Sequence, residues 1–245
     1  MKDPPWILVA PGLLEVGQEI RLDPTEARHV TGPLRRRHGD RIVLIDGEGG
    51  LAEAELQTAR GRDVHAAVLS SRFEAPPEDA GISLALGVLG NQAMDWAVQK
   101  AVELGVRCLH PLIAERTQTP HRTIIRRVPH WRRVARQSLK QCKRVWAMEV
   151  SEPRAFDDIV EQCPPENGAV AHREGVPIHQ VEGTMVELLL VGPEGGFTPG
   201  EIGSLQDRNW PLLRLGSHVL RAETAAVAGA ALLIACRGGE VDQDH

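Results

Sequence analysis

A chain of 245 residues, 42% hydrophobic and 25% charged, can bury the core of one or two domains; its composition is not that of a disordered or fibrous protein. Four scattered cysteines with no C-x-x-C pair argue against a disulfide framework and structural zinc, and suit a reducing cytosol. No apolar window approaches a membrane span, the start is no signal peptide, and a net charge of −5 argues by itself against nucleic acid.

In chain order, residues 7–70 read as short β-strands without a convincing amphipathic helix, which suggests a small barrel. Arg41–Ile45 is a strand, Asp46-Gly47 a hairpin-type turn, and Leu51–Leu56 alternates on the way back. The basic turn Arg35-Arg36-Arg37 precedes Gly39-Asp40. The polar, proline-paired stretch 72–81 reads as a linker, giving domains 1–71 and 82–245. Beyond it the period changes. Ile82–Leu89 and Val106–Leu112 read as strands, Asn91–Leu104 as a helix ended by Gly105, and Val128–Cys142 as a second helix. Strands alternating with helices imply a mainly parallel α/β sheet.

The charge distribution reverses the first impression of an acidic protein. From Arg116 to Met148 there are ten Lys/Arg and no Asp or Glu. The second helix buries Trp131, Val134, Ala135, Leu139 and Cys142, and its other faces carry Arg132, Arg133, Arg136 and Lys140. Pairing at i,i+4 inside such a helix is impossible, so the charges repel unless an outside anion offsets them; RNA phosphate is the anion expected.

Two strand–loop–helix units follow. Val170–His172 is a strand end. Glu187–Val191 is a buried-strand run stopped by Gly192-Pro193-Glu194-Gly195-Gly196, after which Thr198-Pro199-Gly200-Glu201 has the form of a capping box. The glycines are expected to supply positive φ and close approach to a ligand. Leu212–Leu215 is the next strand, Gly216–Arg221 a loop, and the small-residue run from Ala222 to Cys236 a helix closed by Gly238-Gly239. Ligands of open α/β sheets sit beyond the carboxyl ends of the strands, where both loops lie. Dinucleotide and P-loop fingerprints are absent, as are metal-ligand histidine spacings and covalent-nucleophile signatures. Glu194 and Glu223 are candidates for acid–base work or for helix capping.

VGPEGGFTPGEI followed by LRLGSHVLRAETAAVAGAAL resembles the ribosomal small-subunit uridine N3-methyltransferase family (RsmE type) of the SPOUT methyltransferases. Weaker likeness runs through the His29–Asp40 stretch and the two helices. Asn91 stands where a lysine is expected, Lys140 where a glutamate is, His218 where a basic residue is and Pro33 where a valine is.

The resemblance implies an N-terminal PUA-like β-barrel and a SPOUT domain with a trefoil knot over roughly 165–236. It also implies a homodimer acting on 16S rRNA; the cysteine usage gives the cytoplasm, and the dispersed histidines no metal, as expectations. S-adenosyl-L-methionine (AdoMet) is expected at Leu190, Gly192, Glu194, Gly195, Gly196, Leu215, Gly216, Val219, Leu220 and Ala225. RNA is expected at Arg35, Arg36, Arg37, Arg132, Arg133 and Arg136, and the chemistry at Arg221 with Glu194 and Glu223. Two alternatives stay open: another SPOUT target such as a ribose 2′-hydroxyl, and an RNA-binding module without catalysis.

Overall fold

The computed structural model describes residues 3–77, 81–180 and 186–237. The expected Gly238-Gly239 cap lies outside them. The chain divides into two compact units, Met1–Glu78 with Arg136–Ala147, and Asp79–Ala135 with Met148–His245.

In the first unit, β1 (Trp6–Leu8), β2 (Glu19–Arg21), β3 (Arg41–Ile45), β4 (Gly50–Arg60) and β5 (Asp63–Phe73) form one sheet in the order β1-β3-β4-β5-β2. Only β1 and β3 run parallel. The order is linear, with β1 and β2 at its edges, so the ladder stays open where a closed barrel was expected. Alternation along β3, β4 and β5 sends Ile42, Leu44, Ala54, Leu56, Val64, Ala66 and Val68 into one apolar cluster. β5 keeps pairing through Phe73, opposite Gly50, so the strand enters the stretch expected as linker.

One helix was not expected here. In α1 (Pro24–Thr31) Asp23 is the N-cap, its carboxylate accepting from the amides of Thr25 and Glu26, and Pro24 occupies the first turn. Ala27 and Val30 close over the same core. At eight residues the helix is too short for its period to stand out from the strands around it.

The Arg136–Ala147 segment joins this unit through specific bonds. Arg136 donates to the Asp46 carbonyl, Trp146 Nε1 to the Glu74 carbonyl, and Lys140 Nζ lies 2.7 Å from Glu26 Oε1. Glu26 is 1% exposed and Lys140 14%. A buried carboxylate without a cation is costly, so the lysine that departs from the expected glutamate at 140 has a physical partner.

In the second unit, β6 (Ser83–Gly87), β7 (Cys108–Ile113), β8 (Glu149–Val150), β9 (Arg154–Ala155), β10 (Gly168–Pro177), β11 (Leu188–Val191) and β12 (Leu212–Arg214) form a parallel sheet. Its order is β12-β10-β11-β6-β7-β8, with β9 also on β7. β6 and β11 are buried along their whole length, as strands covered on both faces must be. On one face Leu188 and Leu190 pack with α4 (Phe156–Gln162) and with Leu205 of α5 (Pro199–Asp207). On the other, Leu189 meets Gly229 of α6 (Ala222–Arg237), where a Cβ would come within 2.5 Å of a leucine methyl. α2 (Asn91–Leu104) packs beside α6, and its αL cap is Gly105, as expected. α3 (His121–Cys142) begins a full seven residues before the expected Val128 and runs through Pro129.

Two stability predictions follow from burial. Lys140→Ala leaves Glu26 buried without its cation and should cost about 3–5 kcal/mol in urea denaturation. His110, on β7, is held below its usual pKa of 6.5 by burial and then by the Arg154 charge. Ser151 donates its hydroxyl hydrogen to the Glu152 carbonyl, so its oxygen accepts from the Nδ1–H of neutral His110 at 2.9 Å. The unfolded chain protonates this histidine first. Its contribution to stability is therefore complete above 6.5 and declines as pH falls from 6.5 through the lower folded value. Urea midpoints measured across that window should fall in the native protein and flatten in His110→Gln.

Candidate functional site

All the geometry of the site lies in the second unit. β11 ends at Val191 and the chain turns through Gly192–Phe197 into α5. The turn is pinned from below by close approach: a Cβ on Gly87, at the end of neighbouring β6, would sit 2.2 Å from the Pro193 nitrogen. Only glycine fits there. Of the loop's own glycines, Gly196 alone takes positive φ, at 66°. Gly195 does not, which corrects the expectation. Its restriction comes from above, where Arg116 Cβ would lie 3.3 Å from an added Cβ.

Two other crossovers hold the loop, one by a side chain and one by a backbone amide. Arg116 Nη1 donates to the carbonyls of Gly195, at 2.9 Å, and Phe197, at 3.3 Å. Glu194 Oε1 accepts from the Gly90 amide at 2.8 Å. Gly90 is the N-cap of α2 and brings no side chain of its own, so Glu194 serves as that helix's capping carboxylate. The capping box of α5 forms as expected: Thr198 Oγ1 accepts from the Glu201 amide while Glu201 Oε2 accepts from the Thr198 amide. Glu201 also accepts from the Glu115 amide, and the Thr198 hydroxyl donates to the Glu115 carboxylate.

Beside this loop lies an open cavity of about 1090 Å³. A smaller one of about 220 Å³ adjoins it, sharing Ala171, His172, Arg173, Val219, Leu220 and Ala225. Gly192, Glu194, Gly195 and Gly196 line the larger cavity, and Leu215 and Gly216 the smaller. The two loops named from the sequence therefore do converge. Leu190 is the exception: it is fully buried in the core beneath the loop and lines neither cavity. Arg221 and Glu223 both line the larger cavity, and Arg221 is exposed, with no ion pair to Glu194 or Glu223. His218 is exposed on the rim of the smaller one.

Sequence reasoning missed Arg116, which it counted only as a charge. It also missed His172, Arg173 and Glu174. Ala171 and Val176 of β10 both pair with Leu213, so residues 172–175 bulge out of the ladder and turn these side chains to the cavity. Gly175 permits the bulge, since a Cβ there would meet Leu212 backbone at 2.4 Å. No periodicity signals such a shift. Among the described residues, no group of three or more His, Cys, Asp or Glu could hold a metal.

The basic helix also differs from expectation. Its charges do find acids, supplied by distant segments. Arg132 donates to the Val150 carbonyl and pairs with Glu152; His130 meets Asp95; just past the helix end, Lys143 lies 3.6 Å from Asp3. Arg127 bonds Asn91 Oδ1, at the position where a lysine was expected. Arg132 and Arg136 are thus engaged by their own chain, and Arg133 turns to His130 Nδ1. In the first unit Arg35 and Arg37 are exposed, whereas Arg36 is half-buried and donates to the Asp3 carbonyl.

A strand–glycine loop–helix beside a second strand–loop–helix is matched by known proteins. The family model described as "RNA methyltransferase domain" matches residues 76–234. A curated relative from Aquifex aeolicus, "Ribosomal RNA small subunit methyltransferase E", is 26% identical over 220 residues, covering 89% of this chain and 95% of its own. A protein from Legionella pneumophila, solved with the bound cofactor SAM, superposes with a TM-score of 0.85 at 27% identity, covering 95% and 97% of the two chains. The small-subunit methyltransferase E of Neisseria gonorrhoeae, bound to S-adenosyl methionine, gives 0.82 at 26%, covering 93% and 95%. With the family model spanning more than half its length, the chain belongs to the RNA methyltransferase family.

Proposed function

We propose that the chain transfers the methyl group of AdoMet to N3 of a uridine in 16S rRNA of the small ribosomal subunit, in the cytoplasm. The observation that carries this reading is the convergence of the Gly192–Gly196 and Leu215–Leu220 loops on one cavity at the carboxyl ends of β11 and β12. Relatives along most of the chain are named small-subunit rRNA methyltransferases, and two similar structures hold AdoMet.

The residues present fit that cofactor. The Pro193 backbone presses on Gly87, and the loop offers main-chain groups in place of side chains. Glu174, Glu194 and Glu223 set carboxylates on the walls, where a sulfonium cation and ribose hydroxyls find counterparts. Gly192, Glu194, Gly195, Gly196, Leu215, Gly216, Val219, Leu220 and Ala225 are the residues we assign to it. Leu190 supports them from the core. When bound, AdoMet supplies an electrophilic methyl group on sulfur.

The rest of the task falls to the protein. N3 of uracil carries a proton at neutral pH and has no free in-plane lone pair. The proton must leave as the N–C bond forms and the S–C bond breaks. Arg221 lines the cavity and has no ion pair among the described residues, so its guanidinium is placed to stabilise negative charge developing on a uracil carbonyl oxygen. Glu223, half-buried in the first turn of α6, is the better of the two candidates for accepting the proton. Glu194 already caps α2. A base-paired N3 is hidden, so the target must be single-stranded or flipped out.

In this reading the first unit is the PUA-like RNA-binding module of the family, with Arg35 and Arg37 on its surface, and the second is a trefoil-knotted SPOUT domain that pairs as a homodimer. α6 motivates the dimer: Ala226, Gly229, Ala230 and Leu233 are buried, while Leu232 stays 38% exposed. A monomeric mass at micromolar concentration would count against it.

The direct test is nucleoside analysis of small-subunit rRNA after single-turnover reaction. N3-methyluridine is the expected product; a ribose-methylated product would replace this reading with the other SPOUT activity. Arg221→Ala should lose roughly 10²-fold or more in rate with AdoMet binding retained, and an unchanged rate would remove Arg221 from the chemistry.

A further inference from the structure

The donors of Arg116 are only partly used. A guanidinium carries five N–H groups in a planar fork. Nη1 donates to the Gly195 and Phe197 carbonyls, whereas Nε and Nη2 have no partner among the described residues. The side chain is exposed and lines the larger cavity. The free Nε–Nη2 edge is the one that binds phosphate with two parallel hydrogen bonds.

The first half of α3 continues the pattern. Arg122 and Arg126 are exposed and have no hydrogen bond or ion pair among the described residues. Arg133, also exposed, has among the described residues a single side-chain partner, the His130 ring. Positions 122, 126 and 133 fall on one helix face, about 6 Å and then about 16 Å from the first along the axis. The first turn of α3 has no acid, so cations there oppose the helix dipole as well as each other. The same helix thus holds two populations. Arg127, Arg132 and Lys140 are matched by their own chain. Arg122 and Arg126 are left for an anion from outside.

We propose that Arg122, Arg126 and Arg133 form a track for RNA phosphates that leads to the cavity at Arg116. There one guanidinium holds the glycine loop through Nη1 and takes a substrate phosphate on its opposite edge. The proposal rests on the RNA methyl-transfer reading and places substrate grip in the second unit, on residues other than Arg132 and Arg136. Arg116 is in this sense a positioning residue: it ties loop order to substrate engagement without touching the methyl group.

The experiment measures binding of in-vitro-transcribed small-subunit rRNA by anisotropy across a salt series, with AdoMet affinity by calorimetry and the melting temperature of each variant alongside. The double variant R122Q/R126Q should lower the slope of log K against log salt by about 1.4–1.8 and leave AdoMet affinity as it was. R132Q should change the slope by less than half as much per residue. R116Q should weaken AdoMet and RNA together, each about tenfold or more, and R116K should recover part of the salt slope without restoring AdoMet affinity. If R122Q/R126Q keeps the native slope while the native protein methylates the same RNA, the track is wrong and the methyl-transfer reading stands. If R116Q loses AdoMet affinity alone, the bridging role of Arg116 is overturned. If the native protein neither binds nor methylates the RNA, both readings fall together.

Discussion

The contact between Gly87 and Pro193 is the constraint on which the site depends. Two parallel strands deliver their ends side by side, and the loop leaving β11 crosses so close to β6 that no side chain fits between them. With the loop pressed to the sheet there, its remaining freedom is removed by bonds to the segments around it. Nη1 of Arg116 donates to two carbonyls, Glu194 reaches the start of α2, and Glu201 locks the entry to α5. Each bond satisfies a polar group that a tight turn would otherwise leave open, so the cavity wall is held by the chain's own bonds.

This arrangement changes the meaning of individual residues. Glu194 looks like a candidate acid or base while only its loop is considered. Its carboxylate is already committed to a helix N-terminus. Arg221 lines the same cavity and has no side-chain hydrogen bond or ion pair among the described residues. The division of labour between two charged groups is therefore set by what each has for a neighbour and not by how close it is to the glycines.

The basic helix shows the same rule at a larger scale. A window without acids predicts repulsion, yet Glu26, Glu152 and Asp3 come from elsewhere in the chain to meet three of its cations, and Asp95 meets the His130 ring. The lysine at 140 and the buried glutamate at 26 form a complementary pair. The asparagine at 91 accepts from an arginine where a lysine would have met it as a like charge. Departures that look isolated in the sequence are fitted to local partners in the fold.

The sequence by itself determined the parallel sheet of the second unit, the helix between Asn91 and Gly105, the α5 capping box and the two loops of the site. Each is written in short-range signals: an apolar run, a 3.6-residue period, a Thr-x-x-Glu cap, glycines in a cluster. Tertiary structure alone decided the strand order, the open N-terminal sheet, α1, and the assignment of Arg136–Ala147 to the first unit. It also decided the β10 bulge, which turns His172, Arg173 and Glu174 into the cavity, and the role of Arg116 as the clamp. These rest on pairings between residues tens of positions apart. A hydrogen bond or a missing Cβ acts over a few ångströms of space, and nothing in the local order of residues records which distant segment will occupy that space.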